Sequence, residues 1–168
     1  MQISAVPKEI NEWSGSVLIA GILEGTIESQ INLFKAIIKD TFLSQRFIDS
    51  KFEGKKNQKL SIELIEGKVK KVIFVGLGKA ETLRIDDLRK AASIGTRQVS
   101  GYERKLGIFF PWDAFDPSSA ACAVGEAVRL SSIKDFRFKS EPKEPTSIDE
   151  VELIGLDTKT TKSAIDEI

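Results

Sequence analysis

The chain has 168 residues, long enough for one compact domain with a real core and too short for two ordinary ones. Its 25 basic and 25 acidic residues cancel, so nothing global steers it toward nucleic acid or an anionic membrane. Histidine is absent, which removes Ser-His-Asp and Cys-His catalysis and the usual histidine-containing zinc sites, and the single cysteine, Cys122, allows no internal disulfide and fits a reducing compartment.

The first ten residues, MQISAVPKEI, lack the basic region and apolar stretch of a signal peptide. No apolar run approaches the ~20 residues that span a bilayer, so the expectation is a soluble, cytoplasmic protein. Ile3 to Val6 reads as a first strand, and the apolar run Val17 to Ala20 as a strand buried on both faces. After Gly21 and Gly25 a helical period opens at Thr26, a predicted N-cap. Ile27, Ile31, Phe34, Ile38 and Phe42 recur at three and four, which predicts one long helix lying on a sheet. Lys51 to Asn57 is polar and reads as a surface loop. Leu60, Ile62 and Leu64 alternate with polar residues, the pattern of a half-buried strand, and Val72 to Val75 is another apolar run. The short turn between them permits only antiparallel pairing.

A helix is predicted from Asp86, as N-cap, to Ser100, with Leu88, Ala92, Gly95 and Val99 inward; its small residues let it approach the sheet closely. Leu106 to Phe110 follows as a buried strand. Asp116-Pro117 is a strong helix start, with Ala121, Val124 and Val128 facing inward after it. Lys139 to Pro145 reads as an exposed connection, Val151 to Ile154 as a final strand at a sheet edge, and Thr158 onward as a helix. That last helix is about three turns with no C-terminal cap. Its Ala164, Ile165 and Ile168 predict fraying unless another domain or another copy covers them.

Gly76-Leu77-Gly78-Lys79 follows a buried strand and precedes a helix, so Gly76, Gly78 and Lys79 are the candidate ligand-binding residues. The segment lacks the third glycine of a dinucleotide fold and the Gly-Lys-Ser/Thr of a P-loop, and its plain reading is a tight turn. Asp86-Asp87 reads as a helix cap and dipole partner, since adjacent side chains diverge on a helix. Lys51, Lys55, Lys56, Lys59, Lys68, Lys70 and Lys71 make the hairpin region basic. Without arginine, and with one interleaved aromatic, they read as a solvated surface. Phe109-Phe110-Pro111-Trp112 ends a strand where a ligand cleft sits in open α/β sheets, though such clusters more often cap a core. Cys122, without a partner base, reads as a small packing residue.

Val72 to Glu81, then Asp86 to Ala92, then Pro111-Trp112 with Asp116-Pro117 and its alanine-rich helix, and last Phe138 to Lys143 together resemble the N-terminal domain of the leucyl aminopeptidase family. The resemblance implies a macro-domain-like fold over residues 1–157, a mixed β-sheet flanked by helices on both faces. It makes 158–168 the start of a linker helix to a C-terminal peptidase domain. It further implies that the parent is a hydrolase that removes N-terminal amino acids from peptides, that it is a homo-hexamer, and that two divalent metals, zinc or manganese, lie in the peptidase domain. The family's metal-binding signature, Asn-Thr-Asp-Ala-Glu-Gly-Arg-Leu, does not occur in this chain, so no catalytic or metal-binding residue carries over. This domain alone is then expected to be no enzyme, contributing to assembly and active-site access. Two other readings compete: a stand-alone macro-like module for ADP-ribose or a nucleotide, with its cleft at Gly76 to Lys79, and a DNA-binding accessory domain, against which the zero net charge weighs.

Overall fold

A computed structural model describes residues 1–35, 37–38, 42–99, 104–133 and 148–168. Among the described residues six strands form one sheet: β1 (Gln2–Val6), β2 (Val17–Leu23), β3 (Lys59–Glu63), β4 (Lys71–Gly78), β5 (Lys105–Phe109) and β6 (Glu150–Ile154). Their order across the sheet is β1-β6-β5-β2-β4-β3. Every neighbouring pair is parallel except β3–β4, which is antiparallel, as the short turn between them requires. Among the same residues five helices cover the faces: α1 (Ile27–Phe34), α2 (Leu43–Asp49), α3 (Ile85–Thr96), α4 (Pro117–Ser132) and α5 (Thr158–Asp166). This is the mixed α/β sheet, helices on both faces, that the patterning and the resemblance predict.

The interior strands β2 and β4 are the most deeply buried. All eight residues of β4 and the first six of β2 are buried, which explains their unbroken apolar runs. One core lies where α3, α4 and α5 meet the sheet. It joins Leu88, Ala92, Val124 and Val128 to Ile19, Ile73, Val75 and Ile108. The other lies under α1 and α2, where Ile31, Phe34, Leu43 and Phe47 meet Leu18, Ile22, Val72 and Phe74. Gly95 shows why α3 needs small residues. A Cβ there would lie 2.7 Å from Ile19 Cδ1, so the helix backbone rests almost on the strand.

Several expectations are corrected. The single long helix from Thr26 is two. α1 ends at Phe34, α2 begins after Phe42, and Phe42 is 69% exposed. Apolar residues at helical spacing on both sides of the break mimic one continuous helix. Thr26 occupies the N-cap of α1, but its hydroxyl donates to the Leu23 carbonyl (3.0 Å) rather than accepting a helical amide. At α3 the N-cap is Arg84, not Asp86. The Asp87 carboxylate accepts the Arg84 N–H (2.9 Å), while Asp86 pairs with Arg89 (2.7 Å). Asp116 does cap α4, accepting the Ser119 N–H at 2.8 Å. β6 is not an edge: it lies between β1 and β5, with Glu152 held by Lys105 (3.1 Å) and by the Trp13 indole N–H (2.8 Å).

The last helix also finds its cover within this chain. Ile165 and Ile168 pack on the first core, Ile168 against Gly125 of α4. Thr158 Oγ donates to the Ala5 carbonyl at 2.8 Å, and Asp157 caps the helix through the Thr160 N–H. The predicted connection at Lys139 to Pro145, and the Phe138 to Lys143 part of the resemblance, lie outside the described residues.

Candidate functional site

Gly76, Gly78 and Lys79 stand at the C-terminal end of β4, where residues 54–58 cross over it. Gly78 N–H donates to the Gly54 carbonyl (2.8 Å) and Gly76 N–H to the Gln58 carbonyl (2.8 Å). The Gly78 carbonyl accepts from Glu24 N–H (2.9 Å). The amides that a phosphate-binding turn would direct at an anion are therefore bonded to the chain itself. The glycines serve a close backbone crossing: a Cβ on Gly76 would lie 2.0 Å from the Lys55 carbonyl oxygen, and Gly78 has φ +80. Lys79 is exposed and precedes a short 3-10 turn at Ala80–Thr82. The structure thus brings the two glycines together with the 54–58 loop, and Lys79 borders neither the α1–α2 groove nor the crevice between β2 and β5.

The basic hairpin region divides in the same way. Lys55 pairs with Glu53, Lys56 with Asp87 (2.8 Å), and Lys71 is buried with its ammonium on the Gln98 carbonyl (2.8 Å). Burial works against the charge of Asp87, but the Lys56 hydrogen bond, the Arg84 amide and the Lys56 and Lys90 charges outweigh it and hold its carboxyl below the usual range. These lysines close the loop and the end of α3 rather than forming a row for phosphates.

The crevice that open α/β sheets use for ligands lies between the C-terminal ends of β2 and β5. Chain leaves β2 toward the α1–α2 face and leaves β5 toward the α4 face, so the strand order switches there. It holds about 290 Å³ and is bordered by Gly21, Phe34, Phe109, Pro111 and Gly155. Phe110 and Trp112 also border it while buried in the core, with the Trp112 indole N–H on the Ile154 carbonyl (2.6 Å). The Gln30 amide oxygen at the rim accepts from Leu23 N–H. The crevice is mainly aromatic, and the Asp113 carboxylate also borders it. A larger open groove of about 970 Å³ runs between α1, α2 and the Lys51 to Gln58 loop, bordered by Ile31, Phe47, Ile48 and Phe52. Sequence reasoning missed this groove because it depends on the break between α1 and α2.

Cys122 is half-buried, and burial, then Glu126, pushes its thiol up, away from the reactive thiolate. Among the described residues no three acidic, cysteine or histidine side chains come together as a metal site. Among the same residues no helix is long and apolar enough to cross a membrane. The two divalent metals implied by the resemblance find no ligand set on these residues.

The fold defines an open mixed α/β domain in which Gly76 and Gly78 serve a close backbone crossing. Residues 21–142 match the family described as "Cytosol aminopeptidase family, N-terminal domain". A probable cytosol aminopeptidase of Prochlorococcus marinus strain MIT 9211 is 45% identical over 162 residues, 96% of this chain and 33% of the relative. One from Synechococcus strain CC9311 is 32% identical across 100% of this chain and 34% of its own length. Among solved structures, a tomato leucine aminopeptidase mutant superposes with a TM-score of 0.73 at 20% identity, covering 98% of this chain and 35% of that one. The bottromycin maturation enzyme BotP in complex with Mn gives 0.59 at 20% identity, covering 92% and 29%. The chain belongs to the cytosol aminopeptidase family, as its N-terminal domain. It spans about a third of the length of the curated relatives it matches. Nothing in the structure or in these likenesses supports the ADP-ribose or DNA-binding alternatives.

Proposed function

We propose that this chain serves a metal-dependent aminopeptidase as its non-catalytic N-terminal domain. The observation that carries the reading is the match of the N-terminal family domain to residues 21–142, with relatives called cytosol aminopeptidases about three times as long. In this reading residues 1–157 form the domain, and α5, which begins at Thr158, leads toward a peptidase domain that binds peptides and removes their N-terminal residues. Two divalent ions, zinc or manganese, supply Lewis-acid chemistry there. The likeness to BotP, solved with Mn, supports a metal but not which one. This domain contributes to assembly of a cytoplasmic homo-hexamer and to access at the active site, while Gly76, Gly78 and Lys79 shape a turn. Its own residues perform packing, not chemistry.

The test is direct. The chain purified alone, supplied with manganese or zinc, should not turn over leucyl-p-nitroanilide above a metal-only control. Turnover that survives repurification would place catalysis in this domain and overturn the reading.

A further inference from the structure

The two edges of the sheet are finished differently. At the β1 edge, Gln2 and Val6 bond toward β6, so Ile3 and Ala5 present their backbone outward. α5 covers that side, and Thr158 Oγ donates to the Ala5 carbonyl (2.8 Å). The β3 edge has no such cover among the described residues. Leu64 N–H donates to the Lys70 carbonyl (2.7 Å) and Gly76 N–H to the Gln58 carbonyl (2.8 Å), which fixes the even-numbered residues as the ladder partners of β4. The N–H and C=O groups of Lys59, Ser61 and Glu63 therefore point away from the sheet. Their side chains are all exposed and share one face, while Leu60 and Ile62 lie on the other.

We propose that β3 pairs antiparallel with β3 of a second copy of this chain, about a two-fold axis through Ser61, to join the two sheets into one. Only residues with outward backbone groups can pair across such an edge, so Lys59, Ser61 and Glu63 must meet Lys59, Ser61 and Glu63. Centring the pair on Ser61 engages all three. That register sets Lys59 opposite the partner's Glu63, Glu63 opposite the partner's Lys59, and Leu60 beside the partner's Ile62. A charged edge strand ordinarily blocks a second copy because like charges face each other. Here the two charges stand at equal distances either side of Ser61, and the two-fold turns repulsion into two opposite-charge pairs. Shifting the register by two residues leaves one outward residue unpaired on each strand and breaks both of those pairs. The inference stands apart from the aminopeptidase reading, since it rests on backbone groups and charges of β3 alone.

Sedimentation across a concentration series should show the mass rising from 18.6 kDa toward twice that value. Ser61→Pro removes the outward N–H at the axis without touching the β4 ladder, and edge strands accept proline. It should hold the chain monomeric, with its melting temperature at low concentration unchanged. Lys59→Glu and Glu63→Lys each set like charges face to face and should raise the midpoint concentration for pairing tenfold or more. The double exchange, Lys59→Glu with Glu63→Lys, should restore it. Glu63 stands across from Lys71 in the β4 ladder, so Lys59→Glu is the cleaner single variant. A chain that stays monomeric throughout overturns the proposal. So does a dimer indifferent to Ser61→Pro and the reversals, or a double exchange no better than the single ones.

Discussion

Against one face of the sheet lie helices of alanine, glycine and valine; against the other lie two short helices and a loop that carry phenylalanine. On the first, Ala91, Ala92, Gly95, Ala120, Ala121 and Val124 bring helix backbones close to β2, β4 and β5. On the second, Phe34 and Phe47 pack edge-to-face with Phe74 of β4, ring centres 5.3 Å and 4.8 Å from it, and Phe52 packs in the same way on Phe47 (5.3 Å). A helix placed close to a sheet leaves no room to add an atom. A helix held off by rings leaves a large void when one is removed. The same sheet is thus sensitive to addition on one side and to deletion on the other.

The largest expected effect comes from deletion at the aromatic face. Phe74 is fully buried and its ring touches two others, so Phe74→Ala should cost about 3–5 kcal/mol. That is a large share of the ~5–15 kcal/mol a domain of this size has in total. Urea unfolding followed by circular dichroism measures it. A loss below about 1 kcal/mol would mean the rings collapse into the gap, and the faces would differ less than their composition suggests.

Addition at the alanine face should come second. Gly95→Val sets a branched side chain where a single Cβ would already lie 2.7 Å from both Ile19 Cδ1 and Cγ2, atoms fixed in the middle of β2. The cost should be about 1–3 kcal/mol despite the better helix propensity of valine. A variant as stable as the parent would show α3 free to ride outward, and the close contact would not be what fixes its position.

The two faces also differ in how plainly they are written in the sequence. α4 is legible because its signals are local: Asp116 and Pro117 start it, and its inward positions are all small or β-branched. The α1–α2 region is not, because Phe42 falls at the right helical spacing from Ile38 yet ends outside, 69% exposed, at the start of a new helix. β6 misleads for a different reason. Val151, Glu152 and Leu153 alternate like an edge strand, and what makes Glu152 tolerable inside is the Trp13 indole, 139 residues away in sequence. Gly76 and Gly78 read as a tight turn, and the 54–58 loop that holds their amides explains why glycine is needed there. The β6 miss is a contact far along the chain supplying what local pattern cannot show.

The smallest predicted effect sits where the two faces are tied together. Lys56, from the loop that closes the aromatic side, reaches Asp87 at the first turn of α3, and the same carboxylate accepts the Arg84 N–H. The Asp87 side chain is 11% exposed and the Lys56 side chain 43%, so solvent screens one end of the pair. Asp87→Asn keeps the shape and removes the charge; at neutral pH it should cost about 1 kcal/mol or somewhat less. The pH dependence gives the sign. The folded carboxyl titrates below its ordinary value, so its contribution is fully present above the unfolded pKa of about 4 and is lost as pH falls through the lower folded value. The gap in stability between the parent and Asp87→Asn should therefore stay level from pH 7 to about 5 and close below about 4, in the acid range where both carry a neutral side chain. A gap that persists unchanged into acid would assign the effect to the hydrogen bond with Arg84 rather than to charge. The tie between the two faces would then be one of shape, and Lys56 should be replaceable by methionine without loss.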